Sequence, residues 1–327
     1  MSEDRKKDHI ELAFSSAPSH QVMLDHCYYE PLLSAHPTKE ILAQKFMGFD
    51  FGMPLWISSM TGGTKQAAHI NKNLAMACSE FKIGMGLGSC RPLLESNERI
   101  ADFDIKKYMP NAPLFTNFGI AQLEDLIADN KISKIIDLTK RLEADGIIIH
   151  VNPLQEWAQA EGDRFKKSPI DTIKSICDEI DFPLIVKEVG QGMGPKSLEI
   201  LASLPIAAIE LAGFGGTNFT ILEQARRTVP SSGRKGPADY LGYVGHTPDQ
   251  MINWLNNLQA NKPEIIISGG IKNPVRAHDL MLAYTGNSIT GMASEVLEHA
   301  LEDYEHLKEY LTQLRESFAI CKAYIKR

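Results

Sequence analysis

The sequence predicts an α/β fold, a (β/α)8 TIM barrel with an N-terminal extension and a long C-terminal helix. Three observations carry this. From about residue 54, short β-rich runs alternate with longer helical segments. The runs are continuously apolar, as in Gly-Ile-Ile-Ile-His-Val at 146–151 and Ile-Ile-Ile-Ser at 265–268, which marks parallel strands covered on both faces. Eight βα units in about 250 residues fit a closed barrel better than an open doubly wound sheet.

The expected strands span 54–58, 83–87, 113–118, 146–151, 183–188, 207–211, 264–268 and 288–292. Helical patterns fill the gaps at 66–81, 121–130 with 134–144, 170–178, 196–203, 219–227, 248–259 and 275–283. The longest gap, 212–263, contains the Gly/Pro/Ser-rich stretch 230–237, which reads as an extended loop able to cover a barrel mouth. Residues 1–53 form an arm and extension ahead of the barrel, which occupies 54–327 as one catalytic domain. Residues 293–327 read as one long amphipathic helix.

Composition narrows the function classes. A net charge of −7 argues against nucleic acid as the main partner, since phosphate backbones recruit a basic face. No apolar run reaches the ~18–20 residues that cross a bilayer, and the charged N-terminus has no apolar run behind it, so neither a membrane span nor a secretory signal is expected. The 5 cysteines are odd in number and widely spaced, which points to a reducing, cytoplasmic setting rather than a disulfide framework.

In such a barrel the chemistry lies at the C-terminal strand ends. Those ends here are rich in glycine and polar side chains: Ser58-Ser59-Met60-Thr61-Gly62-Gly63, Gly88-Ser89-Cys90-Arg91, Asn117-Phe118-Gly119, and His150-Val151-Asn152-Pro153-Leu154-Gln155-Glu156. They continue with Lys187-Glu188, Gly213-Phe214-Gly215-Gly216-Thr217, Ser268-Gly269-Gly270-Ile271-Lys272 and Gly291-Met292-Ala293. Glycine turns ahead of helices expose N–H groups to an anion, which suits the phosphate of a mononucleotide; the same glycines also serve plain tight turns. Lys187 ends an apolar strand, where its ammonium needs a polar partner, either a ligand or a carboxylate such as Glu188. Gln155-Glu156 pairs an amide with a carboxylate able to hold Mg²⁺, or else caps a helix. The glycines at 84–88 and 190–196 match neither the Rossmann nor the Walker A spacing and read as βα turns.

Taken together, Arg5-Lys6-x-x-His9, Ser59-Met60-Thr61-Gly62-Gly63, Gly88-Ser89-x-Arg91, Asn117-x-Gly119, His150-x-Asn152-x-x-Gln155-Glu156, Lys187-Glu188, Gly215-Gly216-Thr217-Asn218, Ser268-Gly269-Gly270-Ile271-Lys272 and Gly291-Met292-Ala293 resemble the FMN-dependent type 2 isopentenyl-diphosphate Δ-isomerases. The resemblance runs in order from residue 5 to about 300. It implies flavin contacts from Ser59, Met60, Thr61, Ser89, Asn117, Lys187 and Thr217, with Gly270, Ile271, Lys272, Ala293 and Ser294 around the FMN phosphate. It implies substrate diphosphate contacts from Arg5, Lys6, His9, Ser89, Arg91 and Gln155, and Mg²⁺ on Glu156. Gln155, His150 and Asn152 would be the catalytic residues, with His150 and Asn152 near the diphosphate and Gln155 as an orienting group. Reduced FMN would act as acid and base, with NAD(P)H supplying the reducing equivalents, and the chain would assemble as a homotetramer or homo-octamer. Ala212 stands where many relatives carry serine, and Lys272 replaces a common arginine with a point charge. The competing readings are a different FMN barrel of the α-hydroxy-acid oxidase type, which grips a carboxylate with a late His/Arg pair, and a phosphate-binding barrel that senses a metabolite without turnover.

Overall fold

The computed structural model describes residues 11, 12, 16, 24–59, 65–226, 236–259 and 261–327. Eight parallel strands close a barrel: β1 (Leu55–Ile57), β2 (Gly84–Gly86), β3 (Leu114–Gly119), β4 (Gly146–His150), β5 (Leu184–Lys187), β6 (Ala208–Glu210), β7 (Ile265–Ile267) and β8 (Ser288–Met292). β8 returns to pair with β1, for example Gly291 with Trp56. Each strand falls within a residue or two of its expected place, because an apolar run bounded by turn residues has few other registers available.

Side chains alternate across a strand, so every second residue points into the barrel. Trp56, Phe115, Ile148, Ile185, Ala208, Ile266 and Ile289 form one such inward layer. Removing side chains of this size from water contributes about 1.5–3 kcal/mol each. Trp56 fits only because β2 offers a glycine beside it: a Cβ on Gly84 would lie 2.3 Å from the indole Cζ3. Below this layer an antiparallel hairpin, Gln44–Phe46 with Phe49–Phe51, drives Phe46 and Phe51 against it and seals the N-terminal end. The Phe46 and Phe51 rings meet edge to face at 5.9 Å, and Trp56 meets Phe115 in the same way at 5.4 Å.

The outward residues of the strands pack on the surrounding helices. Five of these, Pro153–Ala158, Pro169–Glu179, Pro195–Ala202, Pro248–Asn256 and Pro274–Ala283, begin with proline. Proline has no N–H to leave unpaired in the first turn and its φ is already helical, so three of these helices start one residue before the sequence pattern placed them. The C-terminal segment differs more. It is two helices, Ser294–Glu302 and Tyr304–Tyr324, broken at Asp303. Asp303 is extended (φ −156°), and its carboxylate accepts from His306 N at 3.0 Å, capping the second helix. That helix buries Leu307, Leu311, Leu314 and Phe318 against Lys65–Phe81 and Pro274–Ala283. Its end, Ile325–Lys326, pairs with Tyr28–Tyr29. In the long stretch after β6, a helix, Phe219–Arg226, and a 3-10 helix, Pro237–Tyr243, come ahead of the helix Pro248–Asn256; residues 227–235 lie outside the described residues.

Candidate active site

Two residues above the apolar layer, the same inward positions turn polar: Ser58, Asn117, His150, Lys187, Glu210 and Ser268, with Gly86 and Gly291 completing the ring. The barrel therefore changes from a dry plug to a polar floor within one side-chain layer. Backbone alternation alone produces this once the sequence places those residues two beyond the apolar ones.

On the β5–β8 and β1 side this floor opens into a cavity of about 350 Å³. Ser59, Lys187, Thr217, Gly270, Ile271, Lys272, Ala293 and Ser294 all border it. The β6 and β7 loops meet backbone to backbone here. Gly269 and Gly270 adopt φ +117° and +70°, and a Cβ on Gly269 would lie 2.3 Å from Gly213 O. No side chain fits between the loops, so main chain rather than side chain forms this wall of the cavity. Lys272 reaches across to Glu295 at 3.8 Å, bringing a cation to the first turn of the helix Ser294–Glu302.

Lys187, 6% exposed, donates to Glu188 O at 2.9 Å, not to the Glu188 carboxylate. That carboxylate is held by the N–H groups of Gly190, Gln191 and Gly192 at 2.5–3.1 Å, and burial raises its pKa. The turn at 190–194 thus serves its own strand end, and the Lys187 ammonium keeps hydrogens for a ligand. Two further atoms at this cavity are buried and have no protein partner, Ser59 Oγ and Glu210 Oε2. Orphaned polar atoms and a glycine-lined cradle together fit a polar, phosphorylated ring system such as FMN.

The β2–β4 side holds a second constellation. His150 Nδ1 lies 2.8 Å from Asn117 Oδ1, and Asn117 Nδ2 donates to Leu87 O at 3.1 Å. With the Asn117 oxygen facing it, Nδ1 carries the proton and Nε2 is left as an acceptor. Burial, followed by the charge of Lys187, lowers the His150 pKa to about 3, so the ring is neutral at pH 7. Asn117, expected at the flavin, is engaged at both amide atoms on this side and does not border the cavity.

Beyond β4, Asn152 precedes the helix Pro153–Ala158. Its Nδ2 donates to Gln155 Oε1 at 3.0 Å and to Glu156 Oε1 at 2.9 Å. Glu156 is 7% exposed, and its Oε2 accepts from Asp163 N at 2.8 Å. Asp163 Oδ2 in turn accepts from Arg91 Nη1 at 2.9 Å and from Gln122 Nε2 at 3.0 Å. Glu156 is therefore a buried carboxylate inside a network, where the bare sequence allowed a helix-capping role. Among the described residues no three His, Cys, Asp or Glu side chains converge as a metal cage. One carboxylate fits Mg²⁺ only when diphosphate oxygens and water complete the shell, the usual arrangement for that ion.

Ser89 is exposed at the entrance to this side, where its Oγ accepts from Arg91 N at 3.4 Å. Arg5, Lys6, His9, Met60 and Thr61 lie outside the described residues. Sequence reasoning placed Ser58 and Ser268 at strand ends without giving them a role, and passed over Glu210 in the floor and Asp163 and Gln122 in the network. Glu210 could have been found by extending the inward alternation one step along β6. Asp163 and Gln122 are brought in only by tertiary packing.

No protein-family model matches the chain. It is 34% identical over 281 residues to the isopentenyl-diphosphate delta-isomerase of Synechococcus sp., covering 86% of this chain and 78% of that one. It is 32% identical to the enzyme of the same name from Picrophilus torridus, covering 96% and 89%. Among solved structures, the flavin-binding domain of baker's yeast flavocytochrome b2 superposes with a TM-score of 0.62 at 11% identity, over 91% of this chain and 72% of that one. A mandelate oxidase variant with (S)-mandelic acid gives 0.58 at 10%, over 91% and 81%. These two share the barrel and nothing more specific. The relatives in sequence, together with the motifs that follow every barrel strand, place the chain in the family of type 2 isopentenyl-diphosphate delta-isomerases.

Proposed function

We propose that the chain interconverts isopentenyl and dimethylallyl diphosphate by a 1,3-allylic proton shift, using a resident FMN in its reduced form. The observation that carries this is the pairing of two half-sites on one barrel mouth. A glycine-lined cavity with Lys187 at its edge stands beside a network joining Arg91, Asp163, Glu156, Asn152 and Gln155. The first suits a flavin mononucleotide, the second a diphosphate.

The reaction adds one proton to the terminal alkene carbon and removes another from the allylic carbon, so it is redox neutral. Reduced FMN, when bound, supplies an electron-rich face for the developing positive charge and a site for proton exchange. The side chains do the rest. Lys187 provides a fixed cation at the ring edge. Arg91, with Arg5, Lys6 and His9 of the arm, would neutralise the diphosphate, and Glu156 would be the carboxylate that holds Mg²⁺. Neutral His150 adds no charge next to the carbocation and offers Nε2 as an acceptor. Gln155, with its amide oxygen held by Asn152, orients the alkene end. NAD(P)H would supply the reducing equivalents. On this reading residues 54–327 are the catalytic domain, and the enzyme is a cytoplasmic homotetramer or homo-octamer. No helix among the described residues is long and apolar enough to cross a membrane.

The test is the visible spectrum of the purified protein, followed by dithionite or NADPH, Mg²⁺ and isopentenyl diphosphate. Yellow protein that yields dimethylallyl diphosphate only when reduced supports the proposal. Yellow protein without product retains the flavin and removes the substrate. Protein that FMN cannot reconstitute removes the cofactor as well.

A further inference from the structure

Glu210 has no role in the reading given so far, yet it is the most deeply buried charged side chain of the polar floor, 1% exposed. It ends β6 and stands in register beside Lys187 of β5. One oxygen, Oε1, accepts from Ser58 Oγ at 2.5 Å across the barrel and from Ser268 Oγ at 3.3 Å on β7. The other, Oε2, is buried and has no protein partner, and the residue lines the mouth cavity. A buried carboxyl oxygen without a donor costs the full desolvation of that atom, so such an atom on a cavity floor asks for an N–H or O–H from a ligand.

The position of Glu210 says which part of the ligand that is. On the FMN reading, the β7 and β8 loops, Gly270–Lys272 and Ala293–Ser294, would take the phosphate end and Lys187 on β5 the ring end, and all of them line the cavity. Glu210, on β6 and bridged to β1 and β7, lies between those ends, where a tether joining ring to phosphate must run. We infer that Glu210 is the acceptor for a hydroxyl of the flavin's ribityl chain, with Ser58 and Ser268 serving as positioning residues that hold its carboxyl group upright. This rests on the FMN reading and deepens it. It makes β6 a determinant of ligand class: a phosphorylated aromatic cofactor with a polyol tether is favoured over one with a bare alkyl tether.

The experiment titrates the chain and its Glu210→Gln variant with FMN and with 2′-, 3′- and 4′-deoxy-FMN, following flavin fluorescence, with circular dichroism to confirm folding. Loss of a buried carboxyl acceptor predicts a roughly ten-fold weaker Kd for FMN in the variant. On the unaltered chain one of the deoxy analogues should lose a similar factor, and that analogue should lose little more on the variant. If Glu210→Gln binds FMN as the unaltered chain does, or weakens all four ligands equally, the inference is overturned and the cofactor reading stands. If the unaltered chain binds no FMN, both fall. Should Glu210→Gln fail to fold, the analogue series on the unaltered chain still decides, because equal affinity for all four ligands overturns the inference.

Discussion

His150 makes a prediction that can be worked through from the site. Its pKa is lowered to about 3 by burial and by Lys187, against an ordinary 6.5. The unfolded chain therefore takes up a proton as pH falls through 6.5, while the folded chain does not until about 3. The stability associated with this residue is complete above 6.5 and is lost progressively as the pH falls between those values. One proton difference is worth about 1.4 kcal/mol per pH unit. Between pH 6.5 and 4.5 the loss is about 2–3 kcal/mol, toward the lower figure because part of the ring faces the open mouth. Carboxylates also weaken the fold in acid, so the assay is a difference. Urea unfolding is followed at pH 7.5 and 4.5 for the unaltered chain and for His150→Gln, which cannot titrate. The variant should gain about 2 kcal/mol relative to the unaltered chain on going to pH 4.5. An unchanged gap between the two would show that His150 titrates normally and would remove the case for a neutral imidazole beside the substrate.

Other perturbations report on separate parts of the site. Replacing Arg91 with alanine removes a charge-assisted contact and should raise KM for the diphosphate by roughly 10- to 100-fold, with kcat less affected, in a steady-state assay. Glu156→Gln keeps the shape but removes the charge offered to the metal, so the Mg²⁺ concentration for half-maximal activity should rise at least about ten-fold. Gly84→Ala forces a methyl to within 2.3 Å of Trp56 and should cost about 1–3 kcal/mol by denaturant unfolding, with unfolding brought to lower urea.

The barrel was legible because it rests on local pattern: β4 is Gly-Ile-Ile-Ile-His, and no helix period accounts for it. The break at Asp303 was less visible, since the amphipathic stripe continues through it and only the capping carboxylate marks the boundary. At the site, residues adjacent to strand ends were found, because the barrel topology says which end carries chemistry. Glu210 was hidden in a run read simply as apolar. Its meaning appears once Ser58 and Ser268, remote in sequence, are seen to share its oxygen. Asp163 was hidden for a different reason. It lies on a loop with no periodic signal, and its contacts to Arg91 and Gln122 span 72 and 41 residues.

Sharing a barrel with flavin-dependent hydroxy-acid oxidases leaves the chemistry to be decided by the loops. Such an oxidase needs a histidine and an arginine late in the barrel, free to grip a carboxylate and take a proton. The histidine available, His246, stands edge-on to Trp254 with ring centroids 4.9 Å apart and lines a separate apolar cavity with Met193 and Ile173. Arg276 is committed elsewhere: Nη1 binds Asp25 at 3.1 Å and Asp279 at 3.0 Å, and Nη2 binds Asp249 at 2.5 Å. Freeing that guanidinium would leave three carboxylates without their shared cation, one of them the fully buried Asp279. Neither residue lines the mouth cavity, while the β4 end presents Asn152, Gln155 and Glu156 already joined by hydrogen bonds. Lactate or glycolate added anaerobically to the oxidised, FMN-loaded chain should therefore leave its visible spectrum unchanged. Bleaching of the flavin band by either acid would return the site to the oxidase class, whatever the sequence relatives are called.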